Sequence, residues 1–445
     1  MKRIAFYTLG CKVNQADTAS MEAIFRSHGY TVVGFNCEAD IYVINTCVVT
    51  NTGQRKSRQM INRAVRRNPT AFVVVTGCYP QTAAEEVKTI PGVDLIIGNQ
   101  DRADIVRLVE EAAAFQSVDT IDSVRKLSAN TEFEELSAGD VSDKTRAFLK
   151  IQEGCNQFCT YCIIPYARGP LRSRSLESIR TETQRLISAG FKEIVLIGIH
   201  LGCYGKENHD GPTLYDAVKT VLDVPGVQRL RLGSLESVEV EPRLLTLMQE
   251  DARFCRHLHL PLQSGCDKTL QAMHRPYTTA KFKTLLADIK TKVPDIAITT
   301  DVIAGFPGET EEQFQETLDA VRAVNFMSSF SFCYSDRPGT AASRHTDKVE
   351  PAEKLRRLER LQALQEDLSS DWLKARVGCK TDILLEGASR KQDGEDAATE
   401  SWQGRDPWGD AVNVSLPAGI GKPGLIVPVI IVTAKKHSLI GELRG

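Results

Sequence analysis

The segment Cys155-Asn156-Gln157-Phe158-Cys159-Thr160-Tyr161-Cys162 constrains this chain more than any other. Three thiols within eight residues follow directly on a strand pattern, Phe148-Leu149-Lys150-Ile151-Gln152. Such a set can hold three irons of a 4Fe-4S cubane and leave the fourth iron open to a small molecule. A structural zinc knot is the competing reading. Structural zinc wants four closed protein ligands, and no fourth Cys or His stands nearby in sequence.

The loop sits at the start of a long alternation of strand and helix patterns. Strands are predicted at 147–152, 193–198, 229–233, 258–262, 297–303 and 328–333, with helices among them at 176–189, 214–222 and 311–324. Six β/α units without a long apolar interruption predict an open or partial (β/α)6 barrel. Periodicity alone does not separate that from a doubly wound sheet.

Residues 1–115 alternate in the same way, with strands at 3–9, 41–46, 71–77 and 93–98 and helices at 16–28, 53–68, 82–89 and 102–115, which predicts a parallel α/β domain. Residues 116–144 carry seven Asp or Glu against three Lys or Arg and read as a linker. The barrel region, 145–375, ends in a long charged helix pattern over 350–377. The tail, 376–445, has strand patterns at 380–386, 411–416 and 425–434 separated by Gly and Pro, and reads as a small all-β barrel. The fold class is therefore α/β with an all-β tail.

A second set of thiols lies in the N-terminal domain. Cys11, Cys47 and Cys78 end the turns Leu9-Gly10-Cys11, Asn45-Thr46-Cys47 and Thr76-Gly77-Cys78, each directly after a predicted strand. The carboxyl ends of parallel strands share one edge of the sheet, so three such cysteines can converge there. Gly10 and Gly77 would let backbone approach a bulky ligand. The plainer alternative is three buried small hydrophobes. The other six cysteines, Cys37, Cys203, Cys255, Cys266, Cys333 and Cys379, show no joint spacing and are assigned to packing.

With 42% hydrophobic and 25% charged residues the composition is that of a soluble globular protein, and a net charge of -2 gives no global field toward nucleic acid, so RNA binding must use local patches. The apolar stretch after Met1-Lys2-Arg3 is too short for a signal peptide, and the run 424–434 is too short to span a bilayer. The expectation is a cytoplasmic protein without membrane association, in which clustered cysteines mean metal or catalysis rather than disulfides.

Taken together, Cys155, Cys159 and Cys162 match the radical S-adenosylmethionine (SAM) motif, and the chain resembles the methylthiotransferases of that superfamily over essentially its whole length. The resemblance rests on Thr8-Leu9-Gly10-Cys11-Lys12-Val13-Asn14, Asn45-Thr46-Cys47, Gly77-Cys78, the stretch from Glu153-Gly154-Cys155 through Arg168-Gly169, residues 259–265 (HLPLQSG) and residues 305–310 (GFPGET). Tyr161 departs from the commoner Phe. The tail resembles the TRAM domain, an RNA- or substrate-binding barrel. Within the family, Cys-Lys-Val-Asn is similar to the branch acting on tRNA threonylcarbamoyladenosine; the isopentenyladenosine branch more often has Cys-Gln-Met-Asn, and the branch acting on a ribosomal protein has Cys-Pro-Lys-Asn.

The resemblance implies two 4Fe-4S clusters and SAM as cofactors, with tRNA and an electron donor such as flavodoxin or ferredoxin as partners. It implies that a cluster on Cys11, Cys47 and Cys78 carries a sulfur methylated by one SAM, while a second SAM is cleaved at the other cluster. The resulting deoxyadenosyl radical takes hydrogen from carbon 2 of the adenine. A rival from another class is a non-catalytic, metal-bound RNA-binding module, which leaves the open three-cysteine motif unexplained.

Further candidates follow from position. Tyr161, Gly198, His200, Ser234, Glu236, Gln263 and Ser264 sit in the cluster loop or at predicted strand ends, where they suit SAM. The turn 305–308 is a candidate for contact with adenine. The helix 53–68 carries Arg55, Lys56, Arg58, Arg63, Arg66 and Arg67 and no acid. Arg55, Arg58 and Arg66 fall near one face and are candidates to grip phosphates, against the bland alternative of a solvated face. Arg168 and Arg172 are candidate RNA contacts, against the alternative that they simply pair with acids, and Lys435, Lys436 and His437 are weaker candidates. Lys12, Arg168 and Arg172 are the cations expected to meet the carboxylate of a threonylcarbamoyl group.

Overall fold

The computed structural model describes residues 2–115, 117, 119–139, 145–389 and 399–444. The N-terminal part runs β1 (Arg3–Thr8), α1 (Lys12–Ser27), β2 (Thr31–Val33), β3 (Ile41–Thr46), α2 (Asn51–Arg67), β4 (Phe72–Gly77), α3 (Cys78–Lys88), β5 (Leu95–Ile97), α4 (Ile105–Phe115) and β6 (Ile121–Ser123). The strands pair in parallel in the order β2-β1-β3-β4-β5-β6. β3 and β4 are nearly continuous apolar runs because both faces of the sheet are covered. Tyr42, Ile44, Val73 and Val75 join Met60, Ile61 and Val87 in one core, while Ile4, Val43 and Val74 join Met21, Phe25 and Val109 in the other.

β6 lies inside the stretch expected to be a linker. It adds a sixth strand, with Leu95 opposite Ile121. Ile-Asp-Ser is too short and too polar to show a period, so the pairing is invisible in sequence. Farther along the same stretch, Glu134 accepts hydrogen bonds from Arg102 Nε at 3.0 Å and from the Arg102 backbone N–H at 2.7 Å. Residues 116, 118 and 140–144 of the expected linker lie outside the described residues.

The central part runs β7 (Arg146–Lys150), β8 (Gln152–Glu153), α5 (Ile164–Arg168), β9 (Arg172–Ser173), α6 (Leu176–Ser188), β10 (Glu193–Ile197), α7 (Leu214–Leu222), β11 (Arg229–Leu232), α8 (Pro242–Glu250), β12 (His257–His259), α9 (Asp267–Ala272), α10 (Thr279–Lys292), β13 (Ala297–Ala304), α11 (Glu311–Val324) and β14 (Ser328–Cys333). β7-β10-β11 and β12-β13-β14 form two parallel groups, joined by bridges from Leu230 to Phe254 and from Ser234 to His259. Strand order follows chain order without reversal, which settles the partial barrel over a doubly wound sheet. Helix starts are fixed locally: the Ser175 hydroxyl accepts the Ser178 N–H ahead of α6, and Thr310 with Gln313 forms a capping box ahead of α11.

α12 (Pro351–Ala375) straps the barrel and leads to β15 (Lys380–Ala388), β16 (Thr399–Arg405), β17 (Ala411–Pro417), β18 (Ile426–Ala434) and β19 (Leu439–Leu443), a closed barrel in the order β15-β16-β17-β19-β18. β16 and β19 were not legible, β16 because it is mostly polar and β19 because it is only five residues long. This barrel docks on the starts of the large barrel's strands: Arg229 donates to the carbonyls of Arg405 and Asp382, and Arg231 to that of Asp406.

The N-terminal sheet packs on the central barrel through α1. Val13 and Ala16 meet Val195 and Ile197, with Phe148 and Ile199 alongside. Beside this contact lies a buried ionic seam. Arg102, Lys150 and Arg168 each pair with Asp17 and with Glu153. Burial would push these two carboxyls up, but the surrounding cations outweigh it and hold both below the usual range.

Candidate active site

Cys11 caps α1, Cys78 is the first residue of α3, and Cys47 follows β3 directly. A helix N-terminus favours negative charge, which suits a thiolate. Two asparagines lace the turns together. Asn14 Nδ2 donates to the carbonyls of Leu9 at 2.8 Å and Thr46 at 3.0 Å, and Asn45 Nδ2 donates to the carbonyl of Asn14 at 2.9 Å. The glycines serve this convergence. A Cβ on Gly10 would lie 3.0 Å from Cys47 Cβ, and one on Gly77 would lie 2.5 Å from Asn45 Oδ1; both have positive φ. Burial pushes the Cys11 thiol up and the Cys47 thiol up to about 11, so metal must displace protons to bind.

The second set is held by the start of the barrel. Cys155 N–H donates to the Gly169 carbonyl, and Cys162 N–H closes a turn on Cys159. Gln152 donates to the carbonyls of Glu153 and Gly154 and accepts from the His200 N–H, pinning the loop to the end of β10. Thr160 binds the end of α9 through the carbonyls of Ala272 and Met273. Burial pushes the Cys162 thiol up to about 12. Each set offers three thiols, which is the donor chemistry of a cubane with one open iron.

The two sets meet. Cys78 and Val48 pack against Ile163 and Ala167 of the cluster loop, and Asn99 Nδ2 lies 2.7 Å from the Ala167 carbonyl and 3.7 Å from Cys78 Sγ. A cavity of about 190 Å³ opens at this seam. Its walls are Val49 and Thr50, just after Cys47; Tyr161 to Ile164 of the cluster loop; and Gln263, Asp301, Ile303 and residues 332–335 of the barrel.

Among the residues expected to serve SAM, Tyr161 and Gln263 line this cavity, and Ser234 is exposed at the end of β11. Gly198 lies against Gln152, where a Cβ would come within 2.9 Å. Three others are already engaged. Ser264 is fully buried and turned into α11, 3.2 Å from Thr317 Oγ1. Glu236 pairs with Arg275. His200 has Cys155 Sγ at 3.4 Å on Nδ1 and Glu239 at 2.8 Å on Nε2. Burial lowers the His200 pKa, but hydrogen bonding to Cys155, Cys203 and Glu239 outweighs this and raises it to about 12. In the turn 305–308, Phe306 is buried against Tyr334 rather than free to meet adenine.

The basic candidates divide as well. Arg55 and Arg66 are exposed on α2, but Arg58 is tied to Glu86 and Tyr79. Arg168 and Arg172 are buried: Arg168 holds Asp17, Glu153 and Asn14, and Arg172 holds Glu153 and the carbonyls of Arg168 and Pro170. Neither faces RNA or the cavity. Lys12 remains exposed with no ion-pair partner among the described residues. Burial within the surrounding protein and then the guanidinium groups of Arg146, Arg231 and Arg405 lower its pKa, although part of the side chain is accessible. In the tail, Lys435 and His437 are exposed while Lys436 pairs with Glu366.

Sequence reasoning missed five residues at the site. Arg275 reaches Cys159 Sγ at 3.5 Å, Cys203 lies 3.0 Å from Glu239, and Cys333 lines the cavity. The fifth, Arg337, is buried behind Ser335 on Ser335 Oγ and Gln54 Oε1, with no ion-pair partner among the described residues. Cys333 ends the last barrel strand, a signal that was available. The others reach the site from loops, so only the fold reveals them.

A parallel (β/α)6 arc carrying a three-cysteine loop at the end of its first strand defines a radical SAM enzyme. Consistently, residues 149–321 match the Radical SAM superfamily model and residues 3–98 match Uncharacterized protein family UPF0004. The chain is 42% identical over 399 residues to the threonylcarbamoyladenosine tRNA methylthiotransferase MtaB of Bacillus subtilis (strain 168), covering 89% of this chain and 87% of that protein. It is 40% identical over 448 residues to the tRNA-2-methylthio-N(6)-dimethylallyladenosine synthase of Lawsonia intracellularis, covering 98% and 97%. The chain belongs to the radical SAM tRNA methylthiotransferase family, whose cofactors are two 4Fe-4S clusters and SAM. Among solved structures, the radical SAM methyltransferase TsrM of Kitasatospora setae shares the fold, with a TM-score of 0.57 and 15% identity over 77% of each chain.

Proposed function

We propose that this enzyme adds a methylthio group to carbon 2 of N6-threonylcarbamoyladenosine next to the anticodon of tRNA. The observation that carries the reading is that the segments bearing the two three-thiol sets pack together, Cys78 and Val48 on Ile163 and Ala167, beside a cavity that Cys162 and the residues after Cys47 line. In this reading Cys155, Cys159 and Cys162 hold the cluster that binds SAM, and Cys11, Cys47 and Cys78 hold the sulfur-carrying one. When bound, these groups supply a carbon-centred radical and a methylated sulfur. The chain's own work is to hold SAM near Tyr161, Ser234 and Gln263, to seat the nucleoside between the two sets, and to exclude water.

Lys12 supports the choice of nucleoside. Threonylcarbamoyl brings a carboxylate, and Lys12 is an exposed, unpaired cation next to Cys11. A second reading, transfer to dimethylallyladenosine, is favoured by the apolar lining of Val49, Ile163, Ile303 and Phe332 and by the relative from Lawsonia. We further assign α2, through Arg55 and Arg66, and the TRAM-like C-terminal barrel, through Lys435 and His437, to tRNA contact. A flavodoxin- or ferredoxin-like donor would supply electrons in the cytoplasm. No helix among the described residues is long and apolar enough to cross a membrane. Mass analysis of tRNA nucleosides from a deletion strain and its complemented counterpart tests the reading. Methylthio-threonylcarbamoyladenosine should vanish and return; loss of the dimethylallyl product instead would establish the second reading.

A further inference from the structure

Two of the three thiols in the cluster loop are met by a nitrogen of a neighbouring side chain, and each of these side chains is backed by a carboxylate from one short turn. Cys155 Sγ lies 3.4 Å from His200 Nδ1, whose Nε2 lies 2.8 Å from Glu239. Cys159 Sγ lies 3.5 Å from Arg275 Nη1, whose Nη2 pairs with Glu236. Glu236 caps, and Glu239 ends, the 3-10 turn Ser237–Glu239 that follows β11. The turn is fixed from outside the loop: Ser234 bridges to His259, and the Leu235 N–H donates to the His259 carbonyl at 3.0 Å. Arg275 is fixed as well, through Tyr277, whose hydroxyl bonds the carbonyls of Pro261 and Leu262. With sulfur on one side and carboxylate on the other, both the imidazole and the guanidinium are held as donors toward sulfur. Among the described residues, no side chain makes such a contact with Cys162.

We propose that the Glu236–Glu239 turn is a positioning element that aims His200 and Arg275 at two cluster sulfurs and thereby raises the reduction potential of the SAM-cleaving cluster. The inference rests on the assignment of Cys155, Cys159 and Cys162 as cluster ligands. Hydrogen bonds and positive charge at cluster sulfurs stabilise the reduced, more negative state.

The test is a redox titration of the anaerobic, iron-loaded, full-length enzyme, following by EPR the reduced-cluster signal that changes on adding SAM. His200→Phe and Arg275→Met should each shift the midpoint to more negative potential. At the wild-type midpoint the reduced-to-oxidised ratio should fall about tenfold, which is about 59 mV for a one-electron couple. His200→Gln and Arg275→Lys, which keep a donor, should recover most of the shift. A second readout needs no variant: wild-type protein labelled with 15N-histidine should show a nitrogen coupling to the reduced cluster in pulsed EPR. Midpoints unmoved in the iron-loaded variants, or absence of the histidine coupling in wild type, would overturn the proposal. Loss of iron from a variant leaves the labelled wild type to decide. Failure of the underlying assignment looks different, because the SAM-responsive signal would then persist in Cys159→Ala.

Discussion

Cys159 and Cys47 belong to two thiol sets whose adjoining segments, Tyr161 to Ile164 and Val49 to Thr50, line one cavity, and they have separable tasks. Cys159→Ala should abolish reductive SAM cleavage, measured as deoxyadenosine released anaerobically. Cys47→Ala should still cleave SAM but transfer no sulfur; methylthiolated product at the wild-type rate would remove the N-terminal set from the reaction. Lys12→Ala should cost activity on threonylcarbamoyl-tRNA about ten- to a hundredfold, the worth of a charge-assisted contact of roughly 1.5–3 kcal/mol, with SAM cleavage intact. Unchanged discrimination would move the carboxylate to another cation, such as Arg337 behind Ser335, which has no ion-pair partner among the described residues. At this scale the sequence was readable where spacing carries the chemistry. The six cysteines sit at strand ends that a linear pattern can locate. It was unreadable where burial decides: Arg168, Arg172 and Ser264 have side chains suited to a site, yet Asp17, Glu153 and Thr317 claim them.

α2 carries the exposed charge of Arg55 and Arg66 that we assign to tRNA. It starts four residues after Cys47, its first turn lies by the cavity, and it has no acid in its first turn. Arg55→Glu with Arg66→Glu should weaken tRNA binding and flatten its dependence on salt, since fewer counterions are released. An unchanged slope of log affinity against log salt would leave α2 a solvated face. Arg58 is left out because Glu86 and Tyr79 hold it. The elements read correctly from sequence were long or strongly periodic, as with β3, β14, α7 and α11. β2, β6, β16 and β19 were missed. Each is short or polar and becomes a strand only because a neighbour offers its edge, as Leu95 does to Ile121.

For the whole molecule, the site exists only while the N-terminal sheet stays docked on the barrel. The contact of Val13 and Ala16 with Val195 and Ile197 supplies apolar burial, and the seam of Asp17 and Glu153 with three cations fixes the register. Arg168→Ala would remove one of the three cations that Asp17 and Glu153 share, leaving Arg102 and Lys150 on both, so the cost should fall below the ~3–5 kcal/mol of an unpaired buried charge. It should lower the unfolding midpoint in denaturant and reduce sulfur transfer more than SAM cleavage; equal losses in both activities would argue against a docking role. None of this seam was visible in sequence, because Asp17, Arg102 and Glu153 look like ordinary surface charges until the domains meet. The central claim concerns the nucleoside that enters between the two thiol sets. The most direct measurement gives the reconstituted enzyme matched tRNAs bearing threonylcarbamoyladenosine, dimethylallyladenosine or plain adenosine, with ribosomal protein in a separate reaction, and quantifies methylthio product by mass. The account predicts product on the threonylcarbamoyl tRNA in clear preference to the others; preference for the dimethylallyl tRNA, or activity on ribosomal protein alone, would contradict it.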